Sequence, residues 1–203
     1  MQISPTRSAL LEARDERRVM EEGFRFLDEK RLLLAAEIVR LFEKRQSLSD
    51  GYTSLLQQAQ KDMELTIARH GLAGLQAQPA TIRHAPVIKS RQHSFFGVTL
   101  LEESSLSESS PPTFVVGVNP SPEVKSCRKT FSELLSQSIV MAELSNNLQR
   151  LLLEYRRTDR RARALEDVIL PELDEAIGHI DSQLEEMDQE EAVRVRLGSR
   201  FGH

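Results

Sequence analysis

The chain has 203 residues, 27 Lys+Arg against 31 Asp+Glu, 39% hydrophobic and 5% aromatic residues, no Trp and one Cys. That length suits one ordinary domain, but so small an apolar and aromatic share argues against a single thick core, and a net charge of −4 argues against nucleic acid as the main partner. Cys127 alone cannot make an internal disulfide, charged residues from Arg7 to Arg18 stand where a signal peptide needs an apolar run, and no stretch approaches the roughly 18 apolar residues of a membrane span, so a cytoplasmic chain without its own membrane crossing is expected.

Proline divides the sequence. After Pro5 there is none until Pro79, and Leu, Ala, Glu, Arg, Lys and Gln dominate between them, which are good helix formers. The pattern predicts a helix from about Arg7 to about His70, capped by Thr6 or Ser8, stopped by Gly71, Gly74 and Pro79, and roughly 95 Å long. From Ala80 to Pro122 the composition turns to Ser, Pro, Thr, Val and Phe. Two β-favouring runs, Pro86 to Leu101 and Thr113 to Val118, flank the polar stretch Glu102 to Ser110, which reads as a small hairpin or two short strands around a loop. From Glu123 to about Leu197 helix formers return, interrupted by Pro171.

The first helix carries a seam. Positions 10, 13, 17, 20, 24, 27, 31, 34, 38, 41, 45, 48, 52, 55, 59 and 62 alternate steps of three and four, and twelve of the sixteen are apolar or aromatic, Leu27, Leu34, Ile38 and Leu41 among them. The second helix answers with Met141, Leu144, Leu148, Leu151, Tyr155, Thr158, Ala162, Leu165 and Ile169, continuing through Leu173, Ala176, Ile180, Leu184 and Met187 with two extra steps of four. Neither helix can bury its stripe alone. The fold class expected is therefore all-α dominant: a long two-helix antiparallel coiled coil, residues 1–79 and 123–203, with a β-hairpin or loop insert at 80–122 distal to the termini. Facing residues are expected where i+j is near 200. That would set Arg17, Arg31 and Arg45 near Gln183, Ile169 and Tyr155, with Glu185 or Glu186, Glu166 or Glu172, and Glu154 or Asp159 in reach. These arginines either lay their stems along the seam with heads in water or fix its register by pairing.

No glycine opens a phosphate loop or a dinucleotide fingerprint, and His70, His84, His93, His179 and His203 are scattered without ligand spacing. No catalytic group, cofactor or metal is expected, and Cys127 reads as a packed thiol. Two charge features remain. Arg156, Arg157, Arg160, Arg161 and Arg163 fall within eight residues, and the stretch Glu166 to Glu191 holds eleven acids with no Lys or Arg. The arginine block is either a solvated face or a contact band for a protein partner, to which Glu166 is added. A nucleic-acid role is disfavoured by the neighbouring acids and the lack of interleaved aromatics.

The segment Arg160-Arg161-Ala162-Arg163-Ala164-Leu165-Glu166-Asp167-Val168-Ile169-Leu170-Pro171 resembles the signature of the D subunit of V-type (A/V-type) ATPases. Pro5-Thr6-Arg7 with Leu10, Gly23, and Leu27-Asp28-Glu29-Lys30-Arg31-Leu32 resemble that family's amino-terminal patterns, so the similarity covers both helices. The resemblance implies a non-catalytic central rotor axle that transmits torque between ATP hydrolysis or synthesis and proton or sodium translocation by a membrane ring. It implies residues near 1–35 and 165–203 standing inside a hexameric ring of catalytic and nucleotide-binding subunits. Residues near 60–135 would meet a small F subunit and a funnel-shaped subunit linking to the membrane rotor. Such a protein is peripheral on the cytoplasmic side of a membrane complex. A free-standing coiled-coil adaptor or tether would share the composition but not the Arg160 to Pro171 segment, and a coiled-coil clamp on a nucleotide-hydrolysing enzyme is a further alternative.

Overall fold

The computed structural model describes residues 6–78, 87–107 and 121–201. In chain order these form α1 (Arg7–Gln76), β1 (Val87–Phe95), β2 (Val98–Ser107), α2 (Pro122–Ala164), a π-helical turn (Leu165–Ile169) and α3 (Leu170–Phe201). Two long helical stretches packing together with one small antiparallel sheet is the expected class of fold.

Local chemistry sets the helix ends. Thr6 caps α1: its Oγ1 accepts the Ala9 N–H at 3.2 Å, and its carbonyl accepts the Leu10 N–H. Gly71, at φ 65° and ψ 168°, breaks the helix before a last turn that ends at Gln76, a conformation that glycine adopts without the Cβ clash. α2 opens with Ser121 as its cap, the serine Oγ accepting the Val124 N–H at 3.3 Å, and Pro122 at the first helical position, where its missing N–H costs nothing. The helix then widens just before Pro171. The Leu170 N–H bonds the Leu165 carbonyl, a five-residue step, in the turn preceding the proline whose ring would press on an α-helical carbonyl four residues back. The first of the two extra steps of four in the sequence pattern falls here.

The strands lie differently from the sequence expectation. The hairpin turn is Phe96-Gly97, inside the first β-favouring run, with φ 47° and 84° at its two residues and Phe95 paired with Val98. Two positive φ values in a two-residue loop match the right-handed strand twist. The polar stretch from Glu102 therefore becomes the second half of β2 rather than a loop. A bulge places two residues of β2, Glu103 and Ser104, opposite Ser90, with Glu103 at φ 53°. Thr113 to Val118 lies outside the described residues.

The chain divides into two compact units, Met1–Leu33 with Tyr155–His203, and Leu34–Glu154. In the first, α1 runs antiparallel to the end of α2 and to α3, with Leu10, Ala13, Ala162 and Ile180 buried. In the second, α1 runs antiparallel to α2 over Leu34, Leu41, Ala59, Leu134, Ile139, Leu144, Leu148 and Leu151, and β2 adds Val98 and Leu100. Of the seam positions singled out in the sequence, Leu34, Leu41, Leu148 and Ile180 are buried; Leu27, Ile38, Leu165, Ile169, Leu173 and Leu184 are half-buried. Arg45 and Leu48 are exposed. The stripe leaves the contact at these two positions and returns to it in the same phase at Tyr52, Leu55 and Ala59.

The facing register also differs. Arg17 meets Asp174, Arg31 meets Asp159, Tyr52 meets Ser138 and Thr66 meets Glu123, so i+j lies near 190 over most of the pairing, and it rises to 195 at Arg14–Asp181 and Arg7–Asp188 without reaching 200. The reason is Gly71: the paired helices effectively meet at His70 and Ser121, whose Nε2 and Oγ are 2.8 Å apart, and the last turn of α1 falls beyond that point.

Candidate partner-contact surface

In the first unit the two helical stretches are joined by opposite charges. Arg7 donates to Asp188 at 3.2 Å and Arg14 to Asp181 at 2.7 Å, while Arg17 bridges Asp174 and Glu21. Arg31 bridges Asp28 at 2.6 Å and Asp159 at 3.1 Å. The Arg17 guanidinium is driven further toward its charged form by the hydrogen bond and charge of Asp174, and Arg31 by its bond to Asp159. The predicted acidic partners are thus corrected: Arg17 uses Asp174 rather than Glu185 or Glu186, and Arg31 uses Asp159 rather than Glu166 or Glu172, because the register is ten residues away from the assumed one. The signal available in the sequence was the spacing of Asp174, Asp181 and Asp188, seven apart on one helix face, opposite Arg7, Arg14 and Arg17.

The arginine block occupies the last three turns of α2. Leu151, Thr158 and Ala162 turn inward and are buried. Leu153, Arg156, Arg157 and Arg160 fall on the opposite side by helical spacing, and all four are exposed. Arg161, Arg163 and Glu166 are exposed as well, Glu166 in the π-helical turn. The block is not uniform in its engagements. Arg163 donates to Asp159 at 3.1 Å, sharing that carboxylate with Arg31, so it braces the helix pair. Arg160 folds its Nε back to the Arg156 carbonyl at 3.3 Å. Arg157 and Arg161 enter no ion pair among the described residues, which leaves them, with Arg156, as the open edge of a cationic face.

In the second unit several polar side chains, some of them buried, bond one another across the two helices. Asp62 accepts from Thr130 at 2.6 Å and Ser126 at 3.1 Å, and Thr66, fully buried, donates to the Asp62 carbonyl at 2.7 Å. Glu123 takes two bonds from Arg69, at 2.6 and 2.7 Å. Its carboxyl is held below the usual carboxylate range by a backbone hydrogen bond and then by Arg69. Cys127 packs beside Thr66, and burial pushes its thiol up, away from the reactive thiolate. His93 Nδ1 is buried and stands 3.2 Å from Glu102 Oε1 without hydrogen-bond alignment. The exposed His179 lies on α3; His84 and His203 are outside the described residues. The hairpin lies along α2, where Glu143, Asn147 and Arg150 bond the backbone of β2.

Among the described residues no group of His, Cys, Asp and Glu side chains could hold a metal ion, and no helix is long and apolar enough to cross a membrane. Comparison with known proteins identifies the family. A family model describing the D subunit of ATP synthase matches residues 9–197. The A-type ATP synthase D subunit of Halobacterium salinarum is 28% identical over 196 residues, spanning 96% of this chain and 88% of that protein. That of Methanoregula boonei is 29% identical, spanning 96% and 94%, and that of Methanosarcina acetivorans 26% identical, also spanning 96% and 94%. With the match running through both helical stretches and the hairpin between them, the chain belongs to the family of ATP synthase D subunits.

Proposed function

We propose that this chain is the central rotor axle of an A/V-type rotary ATPase, transmitting torque between nucleotide turnover in a catalytic hexamer and proton or sodium movement through a membrane ring. The observation that carries the reading is similarity along nearly the whole chain to proteins named as the D subunit of A-type ATP synthases. An axle acts without bond chemistry. Its surface differs from face to face, so at each angle the similar sites of a surrounding ring meet different contacts, and differential contact free energy biases their opening and closing. The remaining parts of the reading are the small F subunit of the stalk, the hexameric ring and the funnel-shaped subunit as partners, with the protein peripheral on the cytoplasmic side of the complex. The tether alternative predicts self-association through the seam.

Within this reading Arg156, Arg157, Arg160, Arg161, Arg163 and Glu166 are the partner-contact surface, with the open arginines 156, 157 and 161 as its centre. Arginine forks bind carboxylates in two-point contacts that a rotating acidic surface can make and break. The test is reconstitution with a purified hexameric ring, with and without the small partner, following binding and ATP turnover together. One copy per hexamer with altered turnover is expected. Replacing Arg156, Arg157 and Arg161 by Ala should lower coupled turnover while leaving helical content unchanged; full coupling in that variant would remove the arginine face from the mechanism. Self-dimerisation with no ring binding would favour the tether.

A further inference from the structure

The hairpin does not rest at the start of α2. It lies alongside that helix at Glu143 to Arg150, and Asn147 is roughly 25 residues, about 38 Å, into it. What holds it there is specific. Asn147 Oδ1 accepts the Leu101 N–H at 2.9 Å, and its Nδ2 donates to the Leu101 carbonyl at 2.8 Å. One amide side chain thereby occupies both backbone groups of one strand residue, as a neighbouring strand would. On either side Arg150 donates to the Thr99 carbonyl at 2.7 Å and Glu143 accepts the Ser104 N–H at 2.7 Å.

These three side chains stand at i, i+4 and i+7 of α2, on one helix face spanning about 10 Å. The strand groups they meet span roughly 13 Å. The short Asn sits in the middle and the two long side chains splay to the ends, which reconciles the two repeats. The bulge completes the fit. In an unbroken strand Ser104 would have the opposite parity to Thr99 and Leu101 and aim its N–H at β1; the extra residue at Glu103, φ 53°, turns that N–H to α2. Leu100 and Val98 are buried beside this edge, and Asn147 itself is 3% exposed.

We infer that Asn147 is the positioning residue of the insert: with Glu143 and Arg150 it makes α2 a surrogate strand that closes the β2 edge and fixes the hairpin to the helix as one body. The inference deepens the axle reading in one respect: a hairpin so fixed turns with the helix instead of swinging from it. Its geometric content does not depend on that reading. An Asn removed from such a site leaves a buried N–H and C=O without partners.

The test uses the isolated full chain, so its failure would leave the axle reading standing. Amide exchange is measured in the parent, Asn147→Leu and Asn147→Asp. In Asn147→Leu the Leu101 and Ser104 amides should exchange at least about tenfold faster, while amides of α1 facing Leu134 and Ile139 keep their protection. Asn147→Asp retains the acceptor for the Leu101 N–H and loses the donor to its carbonyl, so an intermediate acceleration is expected. Spin labels at Ser94 and Gln149, in a Cys127→Ala background, should give one narrow distance in the parent and a broad distribution in Asn147→Leu. Unchanged exchange at Leu101 with an unchanged distance would overturn the inference. So would a uniform loss of protection through both helices, since Asn147 would then be a general packing residue and not the hairpin's fixing point.

Discussion

The two units of this molecule use one seam pattern and two different ways of fixing its register. In Met1–Leu33 with Tyr155–His203 the helices are matched by ion pairs at the surface: Arg7–Asp188 has side chains 80% and 62% exposed. In Leu34–Glu154 the exposed pair Arg69–Glu123 is joined by hidden matching groups, with Thr66 at 0% and Thr130 at 6% exposed. Exposed pairs are individually weak and screened by salt. Buried hydrogen bonds are costly to leave unmade and indifferent to salt. Register in the first unit is therefore held by many small, adjustable terms, and in the second also by a few buried ones that are costly to lose. On the axle reading proposed above, a surface that meets changing partners suits the first arrangement and a mount for the hairpin suits the second.

The comparison can be broken or sharpened by substitution. The largest effect is expected at the apolar seam of the second unit. Leu151→Ala, at a fully buried position, should destabilise by about 3 kcal/mol in denaturant titration, and a loss under about 1 kcal/mol would show that the seam is not what holds this unit. Next, Thr130→Val removes the 2.6 Å donor to Asp62 at nearly constant volume. A loss of about 1–2 kcal/mol, the same at low and high salt, is expected; a salt-dependent loss would erase the distinction between the units.

Glu123 adds a pH signature to the second unit. Its folded-state pKa is lowered by its backbone bond and by Arg69, so the stability it contributes is present above the ordinary carboxylate range. That contribution is lost as pH falls through the lowered value. Glu123→Gln should therefore destabilise at neutral pH and match the parent once both are well below that range; a constant offset at every pH would contradict the assignment. The smallest effect belongs to the first unit. Asp174, Asp181 and Asp188 changed together to Asn should lower the melting temperature slightly at low salt and not at all in about 1 M salt, where the Debye length falls to about 3 Å.

Much of this was legible in the sequence because helix chemistry is local. Proline spacing, the Thr6 cap, Gly71 and the three-four alternation place the helices and their buried faces within a few residues. The loosening before Pro171 follows from the ring alone. The hairpin was legible as a hairpin but misplaced. Its turn is Phe96-Gly97, and a bulky residue at positive φ gives little warning in a composition scan. Serines and glutamates in β2 read as loop because their strand is completed by Asn147, a residue over forty positions away. The register was missed for a related reason. It depends on where Gly71 ends the pairing and on a ladder of aspartates that becomes meaningful only once its opposing arginines are aligned. The arginine block was visible as a block, yet its division into bracing Arg163 and open Arg156, Arg157 and Arg161 requires Asp159 to be seen between two partners.

The most direct test of the central claim is rotation. A hexameric ring is fixed to a surface, this chain is inserted with a bead on an exposed residue of the second unit, such as Gln92, and the bead is followed during ATP turnover. The axle account predicts unidirectional stepping among three dwell positions, at a rate that follows turnover. Tight binding of this chain with sustained ATP turnover and a bead that only fluctuates about one angle would contradict it.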